Sequence, residues 1–76
     1  MMSEQEALVP MLIGEVRDQL EVLGYRNPFV RVEADTLKVR LPNGIEAQAD
    51  IPIITNVFEI STDMTERLHS LLTGDG

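Results

Sequence analysis

Leu41-Pro42-Asn43-Gly44-Ile45 is the stretch on which the fold turns. Pro42 presets the φ of a type I turn, Asn43 follows it, and Gly44 supplies the left-handed residue that closes a three-residue hairpin loop. With Leu41 facing Ile45, counting outward fixes the register of the flanking strands. Val39 then meets Ala47 and Leu37 meets Ala49 on one face, while Arg40 meets Glu46, Lys38 meets Gln48 and Thr36 meets Asp50 on the other. Apolar pairs share one side and an opposite-charge pair lies on the other, a consistency that a shifted register destroys.

Upstream, Glu33-Ala34-Asp35-Thr36 makes a tight turn that sets Val32 against Leu37 and Val30 against Val39. Residues 29–51 thus read as a three-stranded antiparallel meander with one apolar and one charged side. The apolar side needs a cover, and the flanking segments provide it. Val9, Leu12, Ile13, Val16, Leu20 and Leu23 recur at helical spacing on one face, and Gly24 ends the helix. Ser3 and Glu6 spell a capping box, whereas Pro10 has no backbone N–H to donate. The expectation is a continuous helix kinked at Pro10, with residues 1–8 as a fraying lead-in. At the other end Met64, Leu68, Leu71 and Leu72 form the stripe of a second helix, capped by Ser61, Thr62 or Asp63 and stopped by Gly74, with residues 74–76 as a tail.

Between the meander and this helix, Ile51 to Ile60 fits neither period. Its β-branched residues and Pro52 predict a bend followed by a short fourth strand over Val57 to Ile60. The fold class expected is α+β: an N-terminal helix, a three- to four-stranded antiparallel β-meander and a C-terminal helix, with both helices packed on one sheet face in a single domain, 1–76.

Composition narrows the function. The chain has 76 residues, 13 Asp and Glu against 6 Lys and Arg, one His and no Cys, for a net charge of −7. The missing cysteines exclude disulfides, thiolate zinc sites and a thiol nucleophile. The acidic balance argues against non-specific binding to nucleic acid or anionic lipid. No apolar run approaches the length of a membrane span, and Glu4 and Glu6 occupy the place where a signal peptide carries positive charge. The expected location is the cytoplasm, with no membrane partner.

Chemistry-bearing groups are few. His69, the single histidine, is expected as a solvated surface residue, with no second His or Cys to complete a metal site. Glu15, Asp18, Asp63 and Glu66 fall at helical positions facing water, and no glycine-rich phosphate loop is present. The sequence therefore predicts no catalytic residues, no metal, no cofactor and no enzymatic activity.

Two binding readings remain. Tyr25, Phe29 and Phe58, together with Ile53 and Ile54, form an apolar surplus outside the predicted core, and the expected contact surface is Phe58 with Val57 and Ile60 on an edge strand, helped by Tyr25 and Phe29. Such a surplus on a thin-cored small domain predicts a non-catalytic protein-binding module, a regulator, inhibitor or assembly adaptor acting as a homodimer. The alternative is an anion- or nucleic-acid-binding face. Four of the six basic residues, Arg26, Arg31, Lys38 and Arg40, lie within fifteen positions, and the register sets Arg31 opposite Lys38. Glu33, Glu46 and Asp50 share that face and can neutralise it, and only Phe29 is available there to stack a base.

Overall fold

A computed structural model describes residues 4–74. The chain runs α1 (Glu4–Val22), β1 (Phe29–Glu33), β2 (Thr36–Arg40), β3 (Glu46–Asp50) and α2 (Val57–Thr73), an α+β order with the strands in one antiparallel sheet, β1-β2-β3. The register is the one the turn chemistry dictates. Val39 pairs with Ala47 and Leu37 with Ala49 across β2 and β3, while Val30 pairs with Val39 and Val32 with Leu37 across β1 and β2. Leu41 N–H donates to Ile45 C=O at 2.9 Å, Gly44 N–H donates back to Leu41 C=O at 2.9 Å, and Gly44 takes φ +90°. The Asn43 side chain accepts from Ile45 N–H at 3.1 Å, so each loop residue plays the part its chemistry suits. In the other turn Ala34 sits at φ +53°, a left-handed position that favours glycine or asparagine.

The helices contact each other, with α1 also touching β1 and α2 touching β3. Their shared core comprises Leu12, Val16 and Leu20 from α1, Leu37, Val39, Leu41 and Ala47 from the hairpin, Ile54 from the connection, and Met64 and Leu68 from α2. Three polar links fasten the layers. Gln5 grips Ile54 at two points, accepting from its N–H at 2.7 Å and donating to its C=O at 3.0 Å. Gln19 donates to the hydroxyl of the fully buried Ser61 at 2.8 Å, and that hydroxyl donates to Phe58 C=O at 2.9 Å. The third joins Tyr25 to His69. Because Gln19–Ser61 and Tyr25–His69 follow the same order along both segments, the two helices point the same way.

Helix α1 is continuous through Pro10 and already helical at Glu4, so residues 4–8 belong to it rather than to a lead-in. The capping role expected of Ser3 lies outside the described residues. Leu23 departs from the expected stripe. The helix ends at Val22, and Leu23 falls in the following turn, half exposed.

The larger correction concerns Val57 to Ile60. There is no fourth strand among the described residues; these four residues are the first turn of α2. The cap is Asn56 rather than Ser61, Thr62 or Asp63. Its backbone is extended, and its side chain accepts from Phe58 N–H at 3.0 Å and Glu59 N–H at 3.2 Å. Val57, Ile60, Met64 and Leu68 follow a helical spacing onto the core, and this burial outweighs the β preference of the branched residues. At the far end Gly74 adopts φ +81° and closes α2 as a left-handed C-cap. Leu71, assigned to the stripe by sequence, is instead about half exposed.

Candidate functional site

The outer face of the sheet is a grid of three rows. Phe29, Arg40 and Glu46 lie side by side across the strands, then Arg31, Lys38 and Gln48, then Glu33, Thr36 and Asp50. Glu33 resolves the opposition of Arg31 and Lys38 by holding both. Its Oε2 accepts from Lys38 Nζ at 2.7 Å and its Oε1 from Arg31 Nε at 3.2 Å. The bond from Lys38, and after it the bond from Arg31, lowers the Glu33 pKa below the ordinary carboxyl value. Arg40 Nε pairs with Glu46 at 2.8 Å, and Thr36 donates to Asp50 at 3.3 Å. The Arg31 guanidinium also stands 6.0 Å from the centroid of the Phe29 ring. The three cations of this face, Arg31, Lys38 and Arg40, are thus each engaged by a carboxylate, and Arg26 lies in the loop before β1 rather than on the grid.

The expected contact surface divides. Val57 and Ile60 pack against the core from the first turn of α2. Tyr25 also packs there, and its hydroxyl meets His69 Nδ1 at 2.6 Å with the rings edge-on. His69 is therefore half-buried and bonded rather than a freely solvated histidine. Phe29 and Phe58 stay exposed, at 58% and 65%, on different elements: Phe29 on the outer sheet face and Phe58 on α2.

Phe58 borders a shallow depression along α2 with Glu59, Thr62, Asp63 and Glu66. Thr62 and Glu66 also line a second depression at the seam of the helices, where α1 and the turn after it contribute Asp18, Gln19, Val22 and Leu23. Val22 is 87% exposed. Sequence reading missed this seam because it assigned Leu23 to the core and left Val22 unplaced. The legible signal was Gly24, which ends the helix so close to Leu23 that the side chain leaves the stripe.

Among the described residues no group of three or more His, Cys, Asp or Glu is placed to hold a metal ion, and no helix is long and apolar enough to cross a membrane. Compared with protein families, curated proteins and solved structures, the chain matches none.

Proposed function

We propose that the protein acts by binding another protein, without chemistry of its own, through the exposed α2 surface centred on Phe58. The observation that carries this reading is the orientation of the first turn of α2. Val57 and Ile60 anchor that turn to the core, and Asn56 caps it, yet the phenyl ring between them is left 65% exposed. An aromatic side chain with no task in its own fold is what interface centres are built from. Of the other residues expected at the contact, Tyr25 serves the interior through His69, and Phe29 lies on the sheet.

The partner is a different chain rather than a second copy. Glu59, Asp63 and Glu66 surround Phe58, and an isologous dimer through this face sets those carboxylates against their equivalents. The anion-binding alternative is less supported, since the outer sheet face carries three cations and three carboxylates.

Capture from native lysate with tagged wild-type and Phe58→Ser chains tests the proposal. The expected result is one stoichiometric protein held by the wild type and lost with Phe58→Ser, while the two chains unfold at the same temperature. Equal capture by both, recovery of the chain alone as a dimer, or recovery of nucleic acid overturns it.

A further inference from the structure

We infer that the seam between α1 and α2 is the specificity pocket of this surface, and that it receives an apolar anchor residue from a partner segment flanked by Lys or Arg. The inference rests on the protein-binding reading and adds the chemistry of the partner. Its volume, about 340 Å³, lies at the low end for ligand sites, enough for one or two side chains and too small for an extended cofactor. Its walls are the exposed Val22 and Leu23 on one side and Thr62 on the other.

Two further observations bear on the occupant. The first is charge. Asp18 and Glu66 line the seam, and no Lys or Arg does. Glu21 pairs with Arg17 and Asp63 with Arg67 within their own helices, whereas Asp18 and Glu66, like Glu15 and Glu59, have no ion pair among the described residues. Glu66 also continues the acidic row of Glu59 and Asp63 beside Phe58. An apolar groove with unmatched carboxylates on its rim selects an apolar side chain carried between cations and repels an acidic segment, including a second copy of this chain at −7. The second is Thr65. It borders the seam, is 97% buried, and its hydroxyl has no hydrogen-bond partner. A hydroxyl in that state is rare in a closed core, and a polar group seated in the pocket reaches it only by parting the lining that seals it from water.

The test is a titration of isotope-labelled protein with an amphipathic helical peptide of Leu and Lys, followed by amide shifts, against a counterpart peptide of Leu and Glu. The expected result is that the Lys peptide moves the amides of Val22, Leu23, Thr62 and Thr65 and the Glu peptide does not. Binding should weaken as ionic strength rises from about 0.01 M to about 1 M, over which the screening length falls from about 30 Å to about 3 Å. The double variant Asp18→Lys, Glu66→Lys should weaken binding about tenfold, while Asp35→Lys, an exposed charge reversal on the β1–β2 turn, leaves it nearly unchanged. Shifts concentrated on the sheet, equal binding of the Glu peptide, or equal weakening by Asp35→Lys overturns the inference. If the peptide fails at the seam while Phe58→Ser still releases a captured partner, the pocket assignment falls and the binding reading stands. If the peptide seats at the seam while capture is indifferent to Phe58, the Phe58-centred reading falls and the pocket stands.

Discussion

The Tyr25 hydroxyl lies 2.6 Å from Nδ1 of His69, a hydrogen bond spanning 44 positions of sequence. It ties the loop after α1 to the last turns of α2, while Gln19–Ser61 joins α1 itself to the early part of α2. A half-buried bond of this kind contributes about 1 kcal/mol net. Tyr25→Phe keeps the ring and removes the hydroxyl, so a thermal melt should fall by about 4–8 °C. An unchanged melting temperature would show that water replaces the lost partner without cost.

Glu33 gives stability a dependence on acid pH. Its pKa is lower in the folded chain than its ordinary value, chiefly through the bond from Lys38. Its contribution is therefore complete above the unfolded carboxyl value of about 4.3 and is lost as pH falls through the lower folded value. Urea unfolding of wild type and Glu33→Gln should differ most near neutral pH and converge as the medium is acidified below about pH 4. Parallel pH profiles would remove Glu33 as the clasp of Arg31 and Lys38.

Asn56 decides where α2 begins. Asn56→Ala deletes the acceptor for Phe58 N–H and Glu59 N–H and should cost about 1 kcal/mol in chemical denaturation. Asn56→Asp, which keeps the acceptor, should recover most of the loss. If both variants match the wild type, the cap is not what holds the first turn.

Phe58 and Leu68 share a helix and should behave oppositely. Leu68 is fully buried, so Leu68→Ala is expected to cost about 2–5 kcal/mol. Phe58→Ser removes an exposed ring and should change stability by no more than about 0.5 kcal/mol. A large loss for Phe58→Ser would make the ring part of the fold rather than of a contact surface.

Thr65 should respond in the direction unusual for a core substitution. Its buried hydroxyl has no partner, so the near-isosteric Thr65→Val removes an uncompensated polar group and should raise stability by about 1 kcal/mol. A destabilised Thr65→Val chain would mean that the hydroxyl is satisfied in solution.

The sequence by itself determined the sheet. Pro42, Asn43 and Gly44 specify one loop geometry, and strict alternation on both sides admits one register, so every pair from Phe29–Arg40 to Thr36–Asp50 follows from short-range chemistry. The core stripe of α1 was legible for the same reason, through Leu12, Val16 and Leu20. The tertiary structure decided the rest. Val57 to Ile60 carry β-favouring side chains, and only the position of the core turns their three-residue spacing into a helix; Asn56 and the continuation to Met64 and Leu68 were the available signs. Gly24 marks locally where Leu23 leaves the stripe, but the meeting of Tyr25 with His69 and of Val22 with Thr62 and Glu66 across the seam has no local signature. Turn residues and alternation act between neighbours, where sequence distance is spatial distance. The seam and the Tyr25–His69 bond instead depend on how two helices separated by a sheet are brought side by side, which burial of the whole core sets and no short stretch encodes.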